Sequence, residues 1–166
     1  MTNIILIGMP GAGKSTVGVV LAKKLGYRFL DSDLLIQERH GKLLHELLEE
    51  HGREGFLAIE NTVNASIDTQ GSVIATGGSA VYGEQAMEHL RKIGTVVYLK
   101  LSYEEIEDRL GDLTSRGVVL QPGQSLKELY AERVPLYEKY AHITVFCDDK
   151  YLRHVVNEIA AICEEA

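Results

Sequence analysis

Gly8, Gly13, Lys14 and Ser15 stand in the order G-x-x-x-x-G-K-S within "IILIGMPGAGKST", residues 4–16. Glycines at 8, 11 and 13 let a backbone turn tightly and aim successive N–H groups inward. A helix beginning near Lys14 adds the positive end of its dipole. Such a turn cradles the phosphates of a nucleoside triphosphate, with amides from Gly11, Ala12 and Gly13. Lys14 then reaches the β- and γ-phosphates, the Ser15 hydroxyl ligates Mg²⁺, and Thr16 faces the α-phosphate. A dinucleotide fingerprint does not fit, because counted from Gly11 its third glycine falls at Thr16. The expected ligands are ATP and Mg²⁺.

A second constellation lies at "FLDSD", residues 29–33, which offers two carboxylates at i and i+2. Asp33 suits a residue that accepts, or orients, the proton of an acceptor hydroxyl during phosphoryl transfer. Asp31 suits a residue that holds Mg²⁺ through water. The competing reading is that one of the two caps the helix starting near Leu34.

These groups need elements to hold them. "IILIG" (4–8), "YRFLD" (27–31), "SVIAT" (72–76), "TVVYLKL" (95–101) and "ITVFC" (143–147) read as strands. Between them, Val17, Val20, Leu21 and Leu25 mark one helical face, and Gly26 stops that helix. Helices are expected over about 34–50 and 53–67, the second with Phe56, Ile59, Val63 and Ile67 in period. Further helices are expected over about 83–92, from Ser102 to Leu110, from Ser125 to Tyr140, and from Tyr151 onward. Pro135 should kink or interrupt the helix from Ser125 to Tyr140. Apolar strands alternating with helices imply a parallel sheet covered on both faces. Ligands then gather at the carboxyl ends of the strands, where Gly8–Ser15, Asp31–Asp33 and Gly77–Ser79 fall.

Composition narrows the function. The chain has 166 residues, enough for one domain with a sizeable core, and no apolar run long enough to span a membrane. The net charge of −7, with no basic cluster longer than two residues, argues against nucleic acid as a partner. Cys147 and Cys163 lack metal or redox spacing and read as reduced thiols of a cytoplasmic protein. The two histidines of "HELLEEH" (45–51) are six residues apart, which does not bring them together as zinc ligands on a helix. The length also argues against a motor ATPase. No Asn-Lys pair occurs, so the guanine-reading N-K-x-D of a GTPase is missing. A small-molecule kinase, monomeric and independent of membranes and nucleic acids, is the class that remains.

At "GMPGAGKSTVG", "LDSD", "TGGSAV", "VVYLKLS", "RLGDLTSRG" and "ERVPLYEKYA" the chain resembles the shikimate kinases, a P-loop family related to nucleoside-monophosphate kinases. The resemblance implies a three-layer α/β fold with a five-stranded parallel sheet in one domain, 1–166. It implies an acceptor-binding helical part over 34–67 and a lid over about 111–124. Asp33 would contact acceptor hydroxyls, with Gly77, Gly78 and Ser79 lining the pocket. Arg109 would lie along the adenine, Arg116 would reach the phosphates from the lid, and Arg133 would bind the acceptor carboxylate.

Three positions depart from the family pattern. Leu57 stands where an arginine binds the shikimate carboxylate, Ser79 replaces a third glycine, and Gly117-Val118 replaces Pro-Leu in the lid. A lost arginine–carboxylate fork weakens binding about tenfold to a hundredfold unless Arg53 or Arg39 compensates. Shikimate is the expected acceptor. A kinase for another small alcohol and an ATP-binding regulatory homologue without transfer are the alternatives.

Overall fold

Five short runs of largely apolar residues pair in parallel. They are β1 (Asn3–Ile7), β2 (Arg28–Asp31), β3 (Ser72–Ala75), β4 (Gly94–Lys100) and β5 (Ile143–Phe146), in the order β2-β3-β1-β4-β5. The computed structural model describes residues 2–110 and 121–164. Every residue of β1 and β3 is buried, as central strands covered on both faces require. The side chain of Asn3 ties the start of the sheet together. Its amide donates to the Thr69 and Ile93 carbonyls at 2.8 and 3.0 Å, and its oxygen accepts from the Ser72 N–H at 2.9 Å.

The helices are α1 (Lys14–Leu25), α2 (Ser32–His40), α3 (Leu44–Ala65), α4 (Glu84–Ile93), α5 (Tyr103–Leu110), α6 (Leu126–Tyr140) and α7 (Leu152–Glu164). α1 packs on β3 and α7, while α4 and α6 lie against β4. The sheet and these helices share one core. Ile36, Leu47, Phe56 and Val63 form a separate small cluster inside the α2–α3 segment, with Leu57 packed against it.

The expected helix over 34–50 is two helices. Gly41 adopts a left-handed conformation (φ 63°) and returns its N–H to the Gln37 carbonyl, which ends α2 at His40. The expected break near residue 52 is present as a non-helical Gly52 inside α3. Val20 is 38% exposed, so the buried stripe of α1 is instead Val17, Gly18, Leu21 and Ala22. Small residues at 18 and 22 let the helix sit close to the sheet. Pro135 does not interrupt α6, which continues to Tyr140. Pro135 and Ala131, the residue whose carbonyl loses a donor, are both exposed, so water can satisfy that carbonyl.

The close approach of α1 is testable. A Cβ on Gly18 would stand 2.6 Å from Phe29 Cε1 and 3.5 Å from Leu6 Cδ1. Gly18→Ala is therefore expected to lose about 1–3 kcal/mol in urea unfolding, despite the better helix propensity of alanine.

Candidate active site

Strand register brings the chemistry to one edge. Ala75 pairs with both Leu6 and Asp31, so the segments after β1, β2 and β3 leave the sheet side by side. Between them opens a cleft of about 290 Å³. Pro10, Gly11 and Gly13 to Thr16 line it from the first segment, Asp33 from the second, and Thr76 to Ser79 from the third. Leu44, Phe56, Glu60 and Arg133 complete the wall.

The first segment is built as an anion cradle. Gly8, Gly11 and Gly13 have φ of 152°, 83° and 90°, which side chains rarely tolerate. A Cβ on Gly8 would also approach the Leu99 carbonyl to 2.8 Å. Lys14, only 8% exposed, folds its ammonium back onto the Gly8 and Met9 carbonyls at 2.6 and 2.8 Å. The Ser15 hydroxyl donates to Asp31 Oδ2 at 3.1 Å. Hydroxyl and carboxylate oxygens are hard donors that fit Mg²⁺, which commonly uses few protein ligands beside phosphate oxygens and water. Among the described residues no group of three or more His, Cys, Asp or Glu could hold a metal.

Asp31 is also the cap that the competing reading foresaw. Its Oδ1 accepts from the N–H groups of Asp33 and Leu34 at 2.9 and 3.4 Å, at the start of α2. That cap leaves Asp33 on the first turn, facing the cleft. Asp33 Oδ1 and Glu60 Oε2 stand 2.7 and 3.0 Å from the point a Cβ on Gly77 would occupy, so position 77 has no room for a side chain. A Cβ on Gly78 would meet Pro10 Cδ at 2.7 Å and Arg133 Nη1 at 2.9 Å.

The buried charges perturb one another. Burial, reinforced by Asp31 and opposed by Lys14, pushes the Asp33 carboxyl up to about 6. Burial likewise pushes Glu60 up to about 7, although the Ser79 hydrogen bond favours its ionised form. Burial lowers Lys14 to about 8, against the pull of Asp33, Asp31 and Glu60. A carboxyl poised near neutrality beside a phosphate cradle has the properties of a base for a hydroxyl proton.

The remaining expected residues are distributed as follows. Ala12 and Arg109 line an adjoining hollow with Cys147, Lys150 and Leu152, which shares Gly13 and Thr16 with the cleft. Arg109 donates to the Gly11 carbonyl at 3.1 Å and to Glu105 at 3.0 Å. Arg133 is 1% exposed and lies 5.4 Å from the centre of the Tyr82 ring, while Arg53 lies 5.3 Å from the same centre. Arg39 donates to the Ser66 hydroxyl and lines neither the cleft nor the hollow. Leu57 is not in the cleft wall. It borders a separate recess with Arg53, Asn61 and Tyr82. Arg116 and most of the expected lid (111–120) lie outside the described residues.

Sequence reading missed Glu60, Tyr82 and Tyr137. The Tyr137 hydroxyl donates to the Gly78 carbonyl at 2.7 Å, fixing the third segment from α6. Glu60 left a usable signal, because it falls one turn after Phe56 and just before Val63 on a buried helix face. A carboxylate on an apolar stripe is costly unless something uses it.

A five-stranded parallel sheet with this glycine cradle at its edge defines a P-loop phosphotransferase fold. Residues 10–164 match the family model described as shikimate kinase. A shikimate kinase of Vibrio cholerae is 39% identical over 166 residues, covering 98% of this chain and 95% of its own. One from Sulfurihydrogenibium sp. is 36% identical over 160 residues, covering 96% of each. The structure of shikimate kinase from Acinetobacter baumannii in complex with shikimate matches with a TM-score of 0.88 at 34% identity, covering 99% of this chain and 94% of its own. That of Aquifex aeolicus matches at 0.85 and 32%, covering 98% and 96%. The chain belongs to the shikimate kinase family, whose members are ATP- and Mg²⁺-dependent phosphotransferases acting on a hydroxyl group.

The Asp33 environment predicts a pH-dependent exchange of stability for function. With its folded pKa raised, the folded chain retains a proton that the unfolded chain releases between about pH 4 and 6, so stability falls as pH rises through that window. Asp33→Asn is expected to melt higher than the parent at about pH 8 and to lose that advantage by about pH 4. Thermal unfolding at both pH values checks this; a lower melting temperature at the higher pH contradicts it.

Proposed function

We propose that this chain transfers the terminal phosphoryl group of ATP to a hydroxyl of shikimate. The observation that carries the reading is the convergence of Lys14, Asp33 and Arg133 on one cleft at the mouth of the glycine cradle. Full-length similarity to shikimate kinases supports the acceptor.

In this reading the amides of Gly11, Ala12 and Gly13 hold the phosphates, Ser15 and Asp31 hold Mg²⁺, and Thr16 and Arg109 flank the rest of the nucleotide. MgATP, when bound, supplies the phosphoryl group and a metal charge that offsets its oxygens. Lys14 moves its cation from the loop carbonyls to the transferring group and stabilises charge that develops there. Asp33 orients the acceptor hydroxyl and takes its proton. Gly77, Gly78 and Ser79 shape the acceptor pocket, and Arg133 binds the acceptor carboxylate. Arg116, which lies outside the described residues, is assigned to the phosphates, where it offsets charge on the transferring group, and the 111–124 segment is assigned as the lid. The segment 34–67 is the acceptor-binding part of a single domain, and its separate apolar cluster supports that role.

Leu57 does not border the cleft, and its packing against the small cluster accounts for an apolar residue there. Arg53, which shares the Tyr82 ring with Arg133, is the second cation we assign to the acceptor side. The protein acts in the cytoplasm as a monomer on a small molecule, without membrane or nucleic acid. The two free cysteines support the compartment, and the net charge of −7 supports the exclusion of nucleic acid.

A coupled assay of ADP release with shikimate and other small alcohols tests the reading. Shikimate-dependent release is expected. Turnover with another alcohol alone would favour the related-kinase alternative, which Leu57 and Ser79 motivate, and nucleotide binding without turnover would favour a regulatory homologue. Arg133→Ala is expected to raise the KM for shikimate about tenfold to a hundredfold with the KM for ATP little changed. An equal rise in both would remove Arg133 from the acceptor side.

A further inference from the structure

Arg133 enters the cleft wall with part of its guanidinium held by Tyr82, a residue outside that wall. A Cβ on Gly78 would stand 2.9 Å from Arg133 Nη1, so that nitrogen lies beside a cleft residue. At the other end, Arg133 Nε donates to the Tyr82 hydroxyl at 3.4 Å. The Tyr82 hydroxyl gives its own proton to Glu132 Oε2. A phenol has one proton to donate, so with Glu132 accepting it the oxygen lone pairs are turned to Arg133. Gln124 donates to the same Oε2 at 3.4 Å and steadies the carboxylate. Tyr137 makes a second contact to Arg133 from α6, with its hydroxyl proton on the Gly78 carbonyl.

Tyr82 is itself fixed at the backbone. Its N–H donates to the Ser79 carbonyl at 3.1 Å in the 3₁₀ turn Ala80–Tyr82, which continues the segment after β3. The Tyr82 side borders the recess with Arg53 and not the cleft. Tyr82 therefore bears on an acceptor through Arg133 rather than by touching it. Arg53, close to the same ring, adds positive charge from the recess side. An arginine can meet a carboxylate through Nε and one Nη, or through both Nη nitrogens. With Nε on Tyr82, the Nη edge is the one turned to an anion in the cleft, and less rotamer freedom is lost on binding.

We infer that Tyr82 is a positioning residue for the acceptor carboxylate: Glu132 orients the Tyr82 hydroxyl, that hydroxyl holds Arg133 Nε, and the Nη1 end is thereby presented to the carboxylate. This deepens, and rests on, the reading in which Arg133 binds that group.

Shikimate-dependent ADP release by the full chain, by Tyr82→Phe, by Arg133→Ala and by the double variant tests the inference. Tyr82→Phe keeps the ring and loses the hydroxyl. It is expected to raise the KM for shikimate about threefold to tenfold, with the KM for ATP within about twofold. Added to Arg133→Ala, the same change should move the shikimate KM by less than about twofold, because the group that Tyr82 positions is gone. Glu132→Ala is expected to match Tyr82→Phe, and Glu132→Gln, whose amide oxygen still accepts from the hydroxyl, to recover most of the loss. An unchanged shikimate KM in Tyr82→Phe, an equal rise in the KM for ATP, or the same penalty with and without Arg133 would overturn the inference and leave the Arg133 reading standing. If Arg133→Ala itself leaves the shikimate KM unchanged, or if the parent turns over no acceptor that bears a carboxylate, both fail. If the parent takes another hydroxy acid in place of shikimate, the substrate reading fails, and the same comparison on that acid decides the role of Tyr82.

Discussion

A lysine ammonium cannot remain buried on two neutral carbonyls alone, and most of the site follows from that constraint. Lys14 is nearly sealed from solvent on the Gly8 and Met9 carbonyls. Asp33, Asp31 and Glu60 all pull its charge toward the protonated form, while burial and Arg133 oppose it. The carboxylates come from the end of β2, from α2 and from α3, and the lysine opens α1 just after the loop that follows β1. Holding them together requires the parallel register that places the ends of β1, β2 and β3 on one edge. Sheet topology and local electrostatics are thus two statements of a single requirement.

Much of this was legible in the chain itself. The glycine spacing at 8, 11 and 13, followed by Lys14 and Ser15, allows few backbone paths, and the positive φ values are those that such a turn needs. The five strands were legible because each is a short apolar run between turn residues. Most of what escaped depends on contacts between segments distant in sequence, the end of α2 being a local exception. Gly41 ends α2 because only its own conformation, not the apolar period around it, stops the helix. Val20 fits a helical period yet faces water, because the small residues Gly18 and Ala22 set which side of α1 meets the sheet. The work of Tyr137 is invisible in sequence, since its hydrogen-bond acceptor lies 59 residues away at Gly78.

The acceptor side was the least legible for a related reason. A residue that departs from the family pattern can be read only with its neighbours. Leu57 leans on an apolar cluster made by Ile36, Leu47, Phe56 and Val63, and so its side chain belongs to the packing of the α2–α3 segment. Ser79 finds Glu60 across 19 residues of sequence. Neither partner could be assigned before the helices were set in place.

Asp31 serves two masters at once, with one carboxylate oxygen on the backbone of α2 and the other on the Ser15 hydroxyl. The same short side chain therefore meets both the cradle and the helix start, and the opening turn of α2 is tied to the loop opposite through Asp31.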